Sequence, residues 1–270
     1  MAGKDLPYWD RNADYSGIPF FIRKMDTSGY VKASEIPAAS LPLVGFLYLT
    51  DGELLAEVEG ESFLCGPGHL LLIPQGLPFS IRYYDGSIGF TGGFSLSFLQ
   101  DIHYACLHAA RPLQQAFWFE EAVLNGDLFQ AMETWFRSGS MDRIRKALDL
   151  VLCQLKTAST ASFHPLVSQF LDRIFDRNER ILSVSEYAGA MRVSPNYLNK
   201  VVKAQTRRSA IRWIDISRIN LAKTLLRRQD LPVTEVATAV GLEDQSYFAR
   251  FFKRHTGMTP TAFRSATGKV

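Results

Sequence analysis

The spacing of apolar residues changes character along the chain and divides it into a β-rich part and a helical part. Between residues 41 and 98, short apolar or alternating runs are broken by turn-forming pairs such as Asp51-Gly52 and Glu59-Gly60. Alternation with a period of two is typical of strands, and glycine-containing pairs favour hairpin turns. Several short strands at this spacing predict a small β-barrel or sandwich.

Helical periodicity replaces this pattern from near Phe117. The segments DLFQAMETWFRSG and DRIRKALDLVLCQLK each fit an amphipathic helix. In the second segment one apolar stripe is formed by Ile144, Leu148, Val151, Leu152 and Leu155. The stripe has two interpretations: a homodimer face within residues 142–156, or a surface that packs on the protein's own barrel.

The small and polar stretch TASTASFHP, which ends at Pro165, is predicted to be an interdomain linker. We therefore expect one domain at residues 1–160, a linker at 161–165 and a second domain at 166–270. Every segment of the second domain has helical periodicity.

One pattern occurs twice in the helical part. VSEYAGAMRV (184–193) aligns with VTEVATAVGL (233–242), and SPNYLNKVVK (194–203) aligns with DQSYFARFFK (244–253). Each copy predicts a short helix, a tight turn and a second helix, which is the helix-turn-helix arrangement.

Local signals support this assignment. Ser183 and Glu186 form an S-x-x-E capping box at the start of the first copy, and Pro232 begins the second. Gly241 can provide the positive φ that such a turn needs. The second helix of each copy has one apolar side, made of Leu198, Val201 and Val202 or of Phe248, Phe251 and Phe252.

The segment SAIRWIDISRINLAKTLLRR, between the copies, predicts one long linker helix. About 20 helical residues span about 30 Å, which is close to the ~34 Å repeat of DNA. Two second helices held at this separation would enter successive major grooves on one face of a duplex.

Charge separates the same two parts of the chain. Residues 165–270 carry 18 Lys and Arg against 9 Asp and Glu, a net charge of +9. The preceding 164 residues carry 12 against 18, a net charge of −6. A basic domain joined to an acidic one favours a polyanionic partner for the basic domain.

Apolar runs, the N-terminal segment and the cysteines indicate the cellular compartment. No apolar run approaches the ~18 residues of a membrane helix, and the first residues lack the apolar core of a signal peptide. Cys65, Cys106 and Cys153 are odd in number and widely spaced, which fits neither a disulfide framework nor a zinc ribbon. We therefore expect a cytoplasmic protein without a membrane partner.

The stretch from Leu166 to Arg264 resembles the DNA-binding domain of AraC/XylS-type bacterial transcription regulators. The resemblance rests on YLNKVVK, RINLAKTLL, VTEVATAVGLEDQSYFARFFKRHTGMTP and the closing pair Phe263-Arg264. It implies seven helices with two helix-turn-helix units, and a sequence-specific regulator whose partner is double-stranded DNA. Contact with RNA polymerase stays open. Arg192 and Arg207 depart from the family pattern, because glycine is frequent at both positions.

By this resemblance the base-facing residues are Asn196, Asn199, Lys200, Gln245, Ser246 and Arg250. Amide side chains pair with adenine and cationic side chains with guanine. The residues expected at phosphates, which position a protein without specifying sequence, are Lys203, Lys253 and Arg254. Tyr197 and Tyr247 are left open between core packing and phosphate contact.

The β-rich part resembles, more loosely, the cupin-like sensing and dimerisation domain of this family, through GPGHLLLIPQGLPFSIRYYDG. The whole chain is then an α+β protein of two domains, with a small-molecule effector in the barrel. His69 is the only histidine in the barrel stretch, and Phe79 stands where related barrels often have histidine. Because a metal site needs three or four converging ligands, we expect neither a metal nor another cofactor.

Which residues would bind an effector stays open. The barrel aromatics either line a pocket or fill the core: Phe46, Tyr48, Phe63, Phe79, Tyr83 and Phe90. The effector, the operator, the direction of regulation and the oligomeric state are not determined by the sequence.

Two alternative functions are a cupin-type enzyme with an appended helical domain and a helical adaptor that binds protein. The enzyme would need clustered metal ligands or a catalytic pair. No such grouping, Gly-rich phosphate loop or nucleophile elbow occurs in the sequence. We therefore expect a protein without enzymatic activity.

Overall fold

The computed structural model describes residues 17–27, 36–39, 42–58, 61–99, 116–118, 122–153, 163–176 and 180–267. These residues form two compact units. The first contains the described residues up to Cys153 and combines a sheet with helices. The second begins at Phe163, and its described elements are all helices.

The described strands of the first unit form one antiparallel sheet. They are β1 (Phe20–Asp26), β2 (Ile36–Ala39), β3 (Val44–Val58), β4 (Glu61–Cys65), β5 (His69–Ile73), β6 (Phe79–Phe94) and β7 (Ala116–Trp118). Their order is β1-β6-β3-β5-β7, with β2 also paired with β6 and β4 with β3. Because β1 and β7 do not pair with each other, the predicted barrel is not closed in the part of the chain that the structure describes.

The long strand β3 buries side chains on both of its faces. Phe46 and Tyr48 belong to one hydrophobic cluster, whereas Leu47 and Leu49 belong to another. This division follows from the two-residue period of a strand. The second cluster is densely apolar and includes Met25, Leu54, Phe63, Leu71, Phe79 and Ile81.

Two helices cover the face of the sheet that carries Phe46 and Tyr48. They are α1 (Ala122–Arg137) and α2 (Met141–Cys153), preceded by a 3₁₀ turn at Leu96–Phe98. The described residues of the apolar stripe in α2 are buried in that cluster: Ile144, Leu148, Val151 and Leu152. The stripe therefore packs on its own sheet and is not a dimer face. Leu155 lies outside the described residues.

The aromatic residues considered for a pocket are buried, and most of them fill the core. All six, Phe46, Tyr48, Phe63, Phe79, Tyr83 and Phe90, are at most 3% exposed. The ring of Phe129 in α1 stacks on Tyr48 with 4.4 Å between ring centroids, and on Phe90 at 6.0 Å. These stacked rings fix α1 on the sheet.

His69 has a local structural role at the start of β5. Its Nδ1 accepts a hydrogen bond from the Gly66 N–H at 3.2 Å, within the turn that precedes the strand. Among the described residues, no group of three or more His, Cys, Asp and Glu side chains is placed to hold a metal ion. His103 and His108 lie outside the described residues.

In the described ranges, no helix combines the length and the apolar character that crossing a bilayer requires.

The second unit has seven helices among its described residues, which is the number expected. They are α3 (Pro165–Phe175), α4 (Val184–Ala190), α5 (Pro195–Thr206), α6 (Ala210–Leu226), α7 (Val233–Ala239), α8 (Gln245–Thr256) and α9 (Pro260–Thr267). The pairs α4–α5 and α7–α8 are the two helix-turn-helix copies. Of the expected linker, residues 161–162 lie outside the described residues and Pro165 is already the first residue of α3.

The linker helix α6 is shorter than expected and is packed along its length. Its 17 residues correspond to about 25 Å rather than 30 Å. Trp213, Ile214 and Ser217 are buried towards its beginning, and Ala222 and Leu226 join the core of the second copy. Packing on α6, rather than its length alone, therefore positions the two copies.

Candidate DNA-binding surface

Side-chain caps fix where the helices of each copy begin. The Ser183 Oγ accepts a hydrogen bond from the Glu186 N–H, and a carboxylate oxygen of Glu186 accepts one from the Ser183 N–H, so the predicted capping box is present. These hydrogen bonds hold the pKa of Glu186 below its usual value. Ser194 and Asp244 directly precede the second helices, and their side chains accept hydrogen bonds from the N–H groups three residues later.

The duplication continues beyond the aligned segments, into the turn after each second helix. The Thr206 hydroxyl donates to the carbonyl of Val202 and accepts from the Arg208 N–H. Fifty residues later, the Thr256 hydroxyl makes the same pair of hydrogen bonds, to Phe252 and from Met258. The two copies thus share their local geometry as well as their sequence pattern.

Both copies place left-handed residues at equivalent positions. In the helix-turn-helix turn these residues are Arg192 with φ 56° and Gly241 with φ 73°. After the second helix they are Arg207 with φ 58° and Gly257 with φ 77°. The two arginines that depart from the family pattern therefore occupy a conformation that side chains with a Cβ rarely adopt.

Replacing Arg207 with glycine should raise the stability of the second unit by about 0.5–1 kcal/mol, because glycine adopts this φ without strain. The midpoint of urea unfolding, followed by helical circular dichroism of the full chain, measures the change. Lys203→Gly, inside the helix that Arg207 follows, is the control and should cost about 1 kcal/mol. Equal losses for both variants would show that Arg207 is unstrained.

The second helices α5 and α8 each bury one side and expose the other. Leu198 and Val202 are buried in α5, as are Phe248, Phe251 and Phe252 in α8. The predicted DNA-contacting residues that lie on exposed surface are Asn196, Lys200, Lys203, Gln245, Ser246, Arg250, Lys253 and Arg254.

Asn199 does not belong with the exposed group. It is half-buried, and its Oδ1 accepts a hydrogen bond of 3.0 Å from the Ala210 N–H at the start of α6. Its amide oxygen is thus engaged within the protein, whereas bidentate pairing with adenine requires both the oxygen and the nitrogen of the amide.

Tyr197 and Tyr247 are surface residues rather than core residues. They are 47% and 46% exposed and occupy equivalent positions of α5 and α8. The closing pair of the family pattern is structural instead. Phe263 lies in the core of the second copy. The Arg264 guanidinium donates to the carbonyl of Leu226, the last residue of α6, at 3.2 Å and to that of Leu231 at 2.6 Å.

A further group of basic side chains, which the sequence pattern did not reveal, lies where α6 meets the end of α8. The Arg212 Nη1 is 3.0 Å from the His255 Nδ1, and the Arg254 Nη2 is 3.5 Å from the His255 Nε2. Burial lowers the pKa of His255, Arg212 and Arg254 lower it further, and Asp215 opposes them. The imidazole is therefore mainly neutral at pH 7.

Comparisons with known proteins agree with this geometry. A family model described as a helix-turn-helix domain matches residues 187–266. The arabinose operon regulatory protein of Salmonella typhimurium (strain LT2) is 27% identical over 236 residues, which cover 79% of this chain and 80% of that protein. The HTH-type transcriptional regulator YijO of Escherichia coli (strain K12) is 34% identical over 116 residues, or 43% of this chain and 40% of that protein.

A solved structure of the C-terminal domain of AraT, a response regulator from Geobacillus stearothermophilus, is 29% identical to part of the chain. The match covers 38% of this chain and 87% of that chain, with a TM-score of 0.36.

The duplicated surface and the matched sequences together define a helix-turn-helix DNA-binding protein. The chain is a DNA-binding transcription regulator that carries an AraC-type helix-turn-helix domain towards its C-terminus, and double-stranded DNA is its partner. The relatives that match over most of this chain are named as transcription regulators, which favours a regulator over the cupin-type enzyme and the protein-binding adaptor.

Proposed function

We propose that α5 and α8 enter successive major grooves of one duplex and read base edges there. The residues assigned to this role are Asn196, Lys200, Gln245, Ser246 and Arg250. Asn199 is left out because its amide oxygen is bound to the Ala210 N–H.

The equivalence of the two exposed surfaces carries this proposal. Fifty residues separate Lys200 from Arg250, and the same interval separates Lys203 from Lys253. In both helices these side chains lie opposite a buried side. Two copies with cations at equivalent positions of the exposed side suit a ligand that repeats along its length, as the DNA groove does.

The chemistry of these side chains suits direct readout. Arg250 can donate two hydrogen bonds to guanine O6 and N7, and Gln245 can pair with adenine N6 and N7. Lys203, Lys253 and Arg254 lie one turn or less beyond the base readers, where we assign them to phosphates, which fix register without carrying sequence information.

Selection of binding sites from a random duplex pool by the full-length protein tests this function. We expect enriched sites with two specified blocks about 10 base pairs apart, the spacing of successive major grooves on one face. If no sequence is enriched although the protein still slows DNA in a gel, the protein binds DNA without sequence specificity.

We also propose that the first unit is a cupin-like domain that binds a small-molecule effector, and that the protein acts in the bacterial cytoplasm, where its DNA lies. A depression of about 510 Å³ supports the effector site. It lies between the sheet and α1 and is lined by Lys24, Tyr48, Thr50, Pro67, Gly68, Ile88, Gly89, Phe90, Gly126, Asp127 and Gln130.

The lining mixes polar and apolar groups, which suits a small ligand of mixed polarity. Burial raises the pKa of Tyr48 to about 12, and the nearby Asp127 carboxylate adds to the increase, so the phenol stays a hydrogen-bond donor. A thermal-shift screen with sugars, amino acids and aromatic metabolites tests the site, because a ligand of the folded state raises Tm. A hit whose shift is unchanged in Gln130→Ala and Asp127→Asn would place the effector elsewhere.

A further inference from the structure

Basic side chains from three elements converge between the two copies. Arg208 lies in the turn after α5, Arg212 lies in the first turn of α6, and Arg254 and His255 lie in the last turn of α8. We call these four residues the inter-copy cluster.

His255 contacts both Arg212 and Arg254, but its ring accepts a hydrogen bond from only one of them. A guanidinium only donates hydrogen bonds, so the 3.0 Å contact from Arg212 makes His255 Nδ1 the acceptor and leaves the proton of the neutral ring on Nε2. The Arg254 Nη2 lies 3.5 Å from this Nε2, and both nitrogens carry hydrogen as donors. The Arg254 guanidinium therefore gains no hydrogen bond from His255.

Acidic compensation within the inter-copy cluster is small. Asp215 Oδ2 is 3.8 Å from the His255 Nε2. Among the described residues, neither Arg212 nor Arg254 forms an ion pair with a carboxylate. The two exposed guanidinium charges of Arg212 and Arg254, near one carboxylate, leave a positive site that an anion would stabilise.

The surroundings of the inter-copy cluster indicate which anion fits. Arg254 lies one helical turn after Arg250, the proposed guanine reader of α8. Arg208 lies two residues beyond the end of α5. The inter-copy cluster therefore adjoins the ends of both second helices, within reach of a duplex that contacts both of them as proposed above.

We propose that the inter-copy cluster binds a phosphate of the DNA backbone between the two base-reading segments. This inference rests on the proposed function and extends it to Arg208, Arg212 and His255, to which no DNA contact was assigned. The Arg208 guanidinium packs on the Trp213 ring, with its carbon 5.5 Å from the ring centroid, and this contact positions it. Arg212 and Arg254 provide the exposed charge.

The salt dependence of DNA binding by the full-length protein tests this proposal. Each lost phosphate contact should lower the slope of log K against log salt by about 0.9. We expect Arg212→Gln to lower the slope by that amount on a selected site and on a scrambled duplex of equal length, with the preference between them unchanged. Arg212→Lys should retain the slope.

Two further variants separate a phosphate contact from a structural effect. Arg228→Gln is the control, at a residue that lies just after the end of α6. The Arg228 charge is already paired with Asp230 at 2.8 Å, so its removal should leave the slope unchanged. Asp215→Asn removes the carboxylate of the site and should tighten DNA binding about two- to fivefold at low salt. A loss of packing would not tighten binding.

The outcomes distinguish this inference from the proposed function. A wild-type protein that binds both duplexes equally contradicts sequence reading but leaves the slope comparison valid. A wild-type protein that prefers the selected site, with an unchanged slope in Arg212→Gln, overturns the inter-copy phosphate site alone.

Discussion

Replacing Phe252 with alanine should lower the free energy of unfolding of the second unit by about 3–5 kcal/mol, because it leaves a cavity in a filled core. Phe252 is fully buried. Its ring centroid lies 5.9 Å from that of Phe248 and 5.5 Å from that of Phe263, so one side chain holds α8 against α9. A loss of this size is a large fraction of a domain's stability and should also abolish specific DNA binding.

Urea unfolding of the full chain, followed by helical circular dichroism, measures this loss. Tyr247→Ala is the matched control, since Tyr247 lies in the same helix but is 46% exposed, and it should cost less than about 1 kcal/mol. Equal destabilisation by the two substitutions would mean that α8 does not bury the side on which Phe252 lies.

Replacing Arg250 with alanine should weaken specific DNA binding by about 1–3 kcal/mol and relax the preference at one base pair. Arg250 lies on the exposed side of α8, opposite the phenylalanines, where its fork of donors can reach a guanine edge. Fluorescence anisotropy on the selected site and on its single-base variants measures both effects.

Lys253→Ala is the control for Arg250→Ala, because it removes the same charge from the same helix at a residue assigned to phosphate. It should weaken binding evenly on all sequences and lower the salt slope by about 0.9. If Arg250→Ala also weakens specific and random DNA equally, Arg250 contacts the backbone and does not read a base.

The helices of the second unit could be predicted because their signals are local. The Ser183 and Glu186 capping box and the positive φ of Gly241 each depend on a few neighbouring residues, and both are present. The sequence also marked Arg192 and Arg207 as departures from the family pattern. The structure shows that both have the left-handed backbone that glycine usually provides.

The role of Asn199 could not be predicted in the same way. Its hydrogen bond reaches the Ala210 N–H, 11 residues away and across a turn, so it depends on how α5 meets α6. The Arg212 contact with His255 joins residues 43 apart. From the sequence, a polar side chain on a helix could face DNA or bind another part of the protein. Tertiary packing decides between these two roles.

In the first unit, the sequence could not predict which surfaces pack together. The apolar stripe of α2 indicated that one side is buried, but amphipathicity alone does not tell which surface covers it. The structure places Ile144 and Leu148 against the sheet. Closure of a barrel depends on pairing between strands distant in sequence, such as β1 and β7, and local alternation carries no information about that pairing.

Methylation protection of guanine N7 on a selected site tests most directly the claim that two second helices read successive major grooves. Wild-type protein should protect two segments about 10 base pairs apart on one face of the duplex. Arg250→Ala should remove protection in one segment, and Lys200→Ala should remove it in the other. A single protected segment, or the same segment lost in both variants, would contradict the account.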